Sequence, residues 1–159
     1  MTLASELAAL FRRDLTRLIQ QLEAFGENDR VLWQCAPGVT NSAGNLVIHL
    51  EGNLREYIGR QLGGIFYSRV RSEEFAPAAV PAADLLRRMQ AVRQLVPDVI
   101  AALSSEQLEA AYPENVLGVP LSTQQFLMSL LGHLNYHLGQ IDYARRILSH
   151  GTAVPYAGL

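Results

Sequence analysis

Lysine is absent from this 159-residue chain, whose 13 strongly basic residues are all arginines. A Schiff-base lysine and the phosphate-binding lysine of a P-loop are therefore excluded. There is one cysteine, Cys35, so an intramolecular disulfide and a zinc site built from several cysteines are excluded as well. We expect Cys35 to be a small buried apolar side chain rather than a nucleophile, because no histidine lies near it in sequence to activate it.

The sequence also lacks a long apolar run and a large excess of charge. No stretch reaches the roughly 18 apolar residues that a membrane-spanning helix needs. The first residues carry an early Glu6 and no basic segment, which argues against a signal peptide. The formal net charge is −2, so the basic surface typical of nucleic-acid binding is not indicated. We therefore expect a cytoplasmic protein that binds neither membranes nor nucleic acid.

What the chain does have is the composition of a globular domain. Hydrophobic residues make up 49% and charged residues 18%, which excludes a disordered chain. The length predicts one domain over residues 1–159, with a tail from about residue 150. Helical periodicity marks four segments, at about residues 2–25, 43–62, 81–103 and 122–149. These predict an all-α fold, a four-helix bundle, with a long irregular connection over residues 65–81.

Two histidines lie four residues apart in the last predicted helix. That spacing places His133 and His137 on one face, about one turn apart. A helical wheel centred on His133 predicts that both face the core, on an apolar stripe shared with Phe126, Leu130, Ala144 and Leu148. The same wheel places Asn135 and Asp142 on the opposite face, in water.

A third histidine, His49, faces inward from the second predicted helix. Unpaired buried imidazoles are costly, and one shared metal would give all three a partner. Three neutral nitrogens with an open coordination position suit zinc or nickel. The motifs Glu-x-x-His and His-Glu-x-x-His are absent, which argues against a di-iron bundle and a zincin protease. A fourth ligand from Glu51, Asp14 or another chain stays open, and His150 is expected to be exposed.

Several stretches resemble the DinB/YfiT-like family of metalloenzymes. The first is the order of the histidines along the chain, a single histidine and then His-x-x-x-His followed by Gly139 and Gln140. The other two are residues 41–55 and the Arg-x-Arg-Ser-Glu-Glu-Phe segment at 69–75. The resemblance covers nearly the whole chain. It implies a four-helix bundle, a metal held by His49, His133 and His137, and a homodimer. Characterised members of that family include metal-dependent transferases and isomerases that use low-molecular-weight thiols.

Other polar residues are candidates for lining the site. Gln140 and Tyr136 lie near the histidine stripe and are predicted to orient a ligand or a bound water. The inward-facing pair Asn53 and Tyr57 is predicted to line the pocket. In the long connection, Arg69 and Arg71 are candidates for gripping a substrate carboxylate or phosphate, although ordinary solvated arginines are the alternative.

The sequence thus favours a metal-dependent enzyme, a hydrolase or a thiol S-transferase. In this hypothesis a histidine-bound zinc or nickel activates a water or a low-molecular-weight thiol, as co-substrate, against a small-molecule substrate. No residue is assigned a catalytic role, and the substrate is not indicated. The alternative is a dimeric helical binding or stress-response protein with a structural or vestigial metal site.

Overall fold

The computed structural model describes residues 2–26, 29–76 and 80–155, and the described residues are helical with no strand beyond one isolated bridge. The helices are α1 Leu3–Phe25, α2 Asp29–Leu32, α3 Ala43–Leu54, α4 Arg71–Glu74, α5 Ala82–Ala101, α6 Ser105–Glu109 and α7 Thr123–Ser149. All-α architecture is thereby confirmed. Residues 150–155 form neither helix nor strand, and the rest of the expected tail lies outside the described residues.

Local capping explains where the long helices begin. Thr2 and Ser5 form a capping box at the start of α1, and Ser122 and Gln125 form one at the start of α7. The Ser42 side chain accepts a hydrogen bond from the Asn45 backbone at the start of α3. Each cap satisfies backbone N–H groups that have no partner within the helix.

The four long helices enclose one core. Helix α1 packs against α5 and α7, and α3 packs against the same two helices from the other side. The core side chains are almost wholly excluded from water; the largest include Phe11, Leu15, Leu18, Leu50, Leu54, Leu85, Met89, Ile100 and Leu127. Because α3 lies directly on α7, side chains from these two helices can meet at one site.

The second long helix changes its winding halfway along. After Leu54 the chain continues as a π-helical segment, Arg55–Arg60. Its hydrogen bonds run from Gln61 N to Glu56 O and from Gly63 N to Ile58 O. Such segments occur often at functional sites. The predicted irregular connection that follows is also not wholly irregular, because it contains the short helix α4.

The inward face of α7 differs from the prediction. Its fully buried centre is formed by Leu127, Leu134 and Ile141, whereas His133 and His137 are half-buried on the flank toward α3. Nor do Asn135 and Asp142 face only water. Asn135 Nδ2 lies 2.7 Å from Asp14 Oδ2, and Gln21 Nε2 lies 2.9 Å from Asp142 Oδ1, so both contact α1. Because α7 packs against both α1 and α3, the buried arc of its surface is wider than the stripe that a helical wheel centred on His133 predicts.

None of the described helices is both long enough and apolar enough to cross a membrane.

Candidate metal centre

Three histidines meet where α3 packs against α7. His133 Nε2 lies 3.2 Å from His49 Nε2 and 3.1 Å from His137 Nε2. The ligand atoms of all three lie within 4.8 Å of one another. The i, i+4 spacing brings the two α7 rings together, and the packing of α3 adds the third. The structure thus brings together all three residues that the sequence selected as metal ligands.

The three nitrogens fit a single metal ion. Two nitrogens bound to one zinc ion at ~2.1 Å lie about 3.0 Å apart across a right angle and about 3.4 Å apart at the tetrahedral angle. The observed separations of 3.1 and 3.2 Å fall between these values. In addition, the atom that each ring presents to its neighbour is Nε2. The cluster could therefore hold one divalent cation.

The surroundings keep these histidines neutral. Burial lowers the pKa of His49 and outweighs the opposing effect of Glu74, which raises it. Burial also lowers the pKa of His137. For His133, burial and then the charges of neighbouring groups lower the pKa to about 4. Neutral imidazoles keep a lone pair available, which is the form that binds metal.

The three rings differ at their second nitrogen. His49 Nδ1 lies 2.8 Å from Glu74 Oε2. His137 Nδ1 lies 2.7 Å from Gln140 Oε1. His133 Nδ1 is buried and has no hydrogen-bond partner among the described residues. A partner at Nδ1 fixes the tautomer and orientation of a ligand histidine, so the three ligands are held to different degrees.

Glu74 was missed by the sequence analysis, although it lies in the segment that resembles the family. Glu74 lies beside Glu73 at the end of α4. Glu74 is buried, with 3% of its surface exposed, whereas Glu73 is exposed. No local pattern distinguishes two adjacent glutamates. Phe75 was also missed as a site residue; its ring lies over that of His49, with centroids 5.0 Å apart.

Comparison with known proteins supports this organisation. The family model of the DinB superfamily matches residues 10–141, which include all three histidines. The chain belongs to the DinB superfamily. Among curated proteins, none is similar enough to count as a match.

Two solved structures of DinB-like proteins share the fold. One, from Bacillus cereus, is 18% identical, covers 92% of this chain and 91% of its own, and has a TM-score of 0.67. The other, YjoA from Bacillus subtilis, is 15% identical, covers 95% and 97%, and has a TM-score of 0.69. At these identities the likeness extends to the DinB fold alone.

Within this DinB bundle, the predicted neighbours of the site lie at different distances from it. Gln140 touches His137, as described above. Tyr136 packs edge-on against the His137 ring, with centroids 5.2 Å apart, but is 65% exposed. Asn53 is buried, and its Oδ1 atom has no hydrogen-bond partner within residues 2–26, 29–76 and 80–155. Tyr57 lies farther along, under the Arg69 guanidinium, whose carbon is 5.4 Å from the ring centroid.

The two candidate substrate arginines differ sharply. Arg69 is tied to Glu74, with Nε 2.6 Å from Oε1 and Nη2 2.9 Å from Oε2. Its guanidinium therefore holds Glu74 in place, and both of these donors are occupied by that carboxylate. Arg71 is exposed, and its charge is close enough to lower the pKa of His133. Together with Tyr57, both arginines line an open cavity of about 800 Å³.

The residues left open as fourth ligands are engaged elsewhere. Asp14 is fully buried and accepts hydrogen bonds from Arg13 and Arg17. Glu51 accepts from Arg55 and Arg88. His150 is exposed, as expected.

The expectation for Cys35 was wrong. It is exposed in the loop after α2. Its Sγ atom lies 3.6 Å from the carbonyl oxygen of Thr40.

Proposed function

We propose that this DinB-superfamily protein is a metal-dependent enzyme that acts on a small-molecule substrate, with zinc or nickel held by His49, His133 and His137. The observation that carries the proposal is the clustering of the three histidines: His133 Nε2 lies 3.1 Å from His137 Nε2 and 3.2 Å from His49 Nε2, and the three ligand atoms lie within 4.8 Å of one another. A bound ion would supply Lewis-acid chemistry, lowering the pKa of a coordinated water or thiol. The reaction class is hydrolysis or transfer of a low-molecular-weight thiol.

The donor set favours an open site over a closed structural one. Structural zinc sites have four protein ligands, whereas catalytic sites keep a position free. Within the described part of the chain, the cluster consists of three histidines. Glu51 and Asp14 each accept hydrogen bonds from two arginines, and neither belongs to the cluster.

The cavity beside the cluster suits a small substrate. Its lining joins aromatic rings, including Tyr57 and Tyr67, with the exposed guanidinium of Arg71. Arg69, which also lines the cavity, contacts Glu74, and Glu74 contacts His49, so two side chains connect the cavity to the cluster. An apolar molecule that carries a carboxylate or phosphate would match this lining.

Metal analysis tests the proposal first. About one divalent ion should bind per chain, and His133→Ala or His137→Ala should remove most of it. His150→Ala is the matched control, because His150 is exposed and should leave the metal content unchanged. Equal metal content in all of these proteins would refute the histidine site.

Cobalt substitution separates the enzyme from the binding protein. The visible spectrum of cobalt responds to coordination number, so a small thiol or azide should change it saturably if a coordination position is open. A thiol should act most strongly if thiol transfer is the chemistry. If no small ligand changes the spectrum, the site is closed, and a binding or stress-response protein with a structural metal becomes the better assignment.

We also propose a homodimer. Helix α7 carries four exposed apolar side chains along one face: Met128 at 50% exposure, Tyr136 at 65%, Tyr143 at 64% and Ile147 at 54%. Large apolar patches of this kind often mark protein contacts. Light scattering should give twice the monomer mass, and Tyr143→Glu should reduce it to the monomer mass. A wild-type monomer would refute the proposal.

A further inference from the structure

The tautomer of His49 decides whether it can serve as a ligand. A neutral imidazole has one N–H and one lone pair, so Nε2 can bind a metal only when the proton is on Nδ1. Glu74 Oε2 lies 2.8 Å from His49 Nδ1, on the side of the ring away from the cluster. An ionised carboxylate only accepts hydrogen bonds. The contact therefore places the proton on Nδ1 and leaves the Nε2 lone pair directed at the other histidines.

The carboxylate is held from two sides. Arg69 donates from Nε to Oε1 over 2.6 Å and from Nη2 to Oε2 over 2.9 Å. Asn45 Nδ2 donates to the backbone oxygens of Glu74 and Ala76, over 3.1 and 3.0 Å. The paired N–H donors of Arg69 match the two oxygens of an ionised carboxylate. The acceptor facing His49 is thus charged and fixed in position.

Only a carboxylate satisfies both neighbours. Arg69 and His49 together present three donors, and the two oxygens of Glu74 accept all of them. A glutamine amide would have to direct its NH2 group at one of these neighbours. At the position of Oε2, that group would donate to His49 Nδ1, which moves the proton to Nε2, and it would lose the contact with Arg69 Nη2. At the position of Oε1, it would lose the contact with Arg69 Nε, the shorter of the two arginine contacts.

Space for this carboxylate comes from a glycine in α3. A Cβ atom on Gly52 would lie 2.2 Å from Glu74 Oε1 and 3.1 Å from its Cδ. Gly52 is one turn of helix beyond His49, so the carboxylate sits directly against the helix that carries the ligand. Any larger residue at position 52 would push Glu74 away from both Arg69 and His49.

We propose that Glu74, seated against Gly52 and held by Arg69, is a positioning residue that keeps His49 in its Nδ1–H tautomer and so sets the metal affinity of the site. The inference rests on the proposed metal-binding function. It also distinguishes the ligands: a charged acceptor orients His49, a neutral amide orients His137, and no side chain in the described part of the chain orients His133 at Nδ1.

The first test is the metal affinity of Glu74→Gln, measured by competition with a chromophoric chelator using zinc alone. Loss of an outer partner of a ligand histidine costs about 10- to 100-fold in affinity, which is the weakening expected here. Glu51→Gln is the matched control, because Glu51 is also a buried carboxylate, lies on α3 with His49, and is paired with Arg55 and Arg88. Equal affinity in the wild type and Glu74→Gln would overturn the proposal, as would an equal loss in Glu51→Gln.

The second test reads the tautomer without metal. Nitrogen-15 spectra of the histidine side chains should show wild-type His49 protonated on Nδ1 at neutral pH. In Glu74→Gln this signature should shift toward the Nε2–H form, whereas Glu51→Gln should keep it. An unchanged His49 tautomer in Glu74→Gln would overturn the proposal. If wild-type protein binds no zinc, the proposed function fails, and this measurement still decides the role of Glu74.

The third test displaces the carboxylate without altering it. Gly52→Ala should weaken zinc binding about as much as Glu74→Gln, because both lose the same contact. Gly139→Ala is the control, since a Cβ there meets nothing within 4 Å. Helical circular dichroism establishes whether Gly52→Ala is folded; if it is not, Glu74→Gln alone decides the matter. A folded Gly52→Ala protein with wild-type affinity would count against the proposal.

Discussion

Mild acid should destabilise the metal-free protein through His133. Burial, followed by the charges of His137, His49, Arg69 and Arg71, lowers the pKa of His133 from 6.5 to about 4. In the unfolded chain the pKa returns to its ordinary value, so between these two pH values the unfolded state binds more protons. The free energy of unfolding should therefore fall as the pH drops from about 6.5 toward about 4 and level off below that.

The size of the effect follows from the same pKa difference. Each unit of pKa difference is worth about 1.4 kcal/mol, so the lowering from 6.5 to about 4 sets an upper bound of about 3.5 kcal/mol. The ring is only half-buried, and water weakens the effect, so we expect about 2 kcal/mol. That is a large share of the ~5–15 kcal/mol that stabilises a typical domain.

The assay is urea denaturation in the presence of a chelator, across this pH range, for the wild type and His133→Gln. Glutamine stays neutral at every pH, so the variant lacks the His133 contribution but keeps those of Glu74 and the other acids. The wild type should lose about 2 kcal/mol more than the variant between pH ~7 and ~4. His150→Gln, at an exposed position, should follow the wild type. Parallel curves for the wild type and His133→Gln would refute the reasoning.

Three further predictions concern packing and metal binding. Gly44→Ala should lower the free energy of unfolding by about 1–3 kcal/mol, because its Cβ would lie 2.7 Å from the Trp33 ring. Gly132→Ala, whose Cβ would meet no described atom within 4 Å, should be neutral or stabilising in urea denaturation. Leu134→Ala, at a fully buried position, should lower the free energy of unfolding by about 2–5 kcal/mol, whereas Tyr136→Ala, at an exposed position, should lower it much less. Equal losses of thermal stability in the two variants would contradict the burial pattern. Zinc at about 100 times its dissociation constant should stabilise the wild type by about 2.7 kcal/mol in thermal unfolding and leave variants lacking a ligand histidine unchanged.

The long helices were predictable because their signals are local. The capping box of Ser122 and Gln125 and the 3.6-residue period place α7 at Thr123–Ser149, close to the predicted 122–149. The π-helical segment Arg55–Arg60 and helix α4 were not predicted. Both depend on how α3 and the following connection pack against the bundle, for which neighbouring residues carry no signal.

The sequence also did not predict which side chains of α7 face α1 and which face α3. A helical wheel assigns one inward direction, but α7 contacts both α1 and α3. The leucines therefore take the centre of its buried arc, Asn135 reaches Asp14 on α1, and the histidines face α3. Hydrophobic periodicity indicates which arc is buried, not which neighbouring helix each part of the arc meets.

By itself, the sequence determined that His133 and His137 are adjacent, because residues four apart on a helix are neighbours whatever surrounds them. It also selected His49 as their partner through periodicity and family resemblance. Only the tertiary structure brought His49 to His133 across 84 residues of sequence and placed Glu74 behind it. Burial then lowered the pKa values of all three histidines. These features arise from contacts between distant segments, and such contacts exist only once α3, α4 and α7 have packed together.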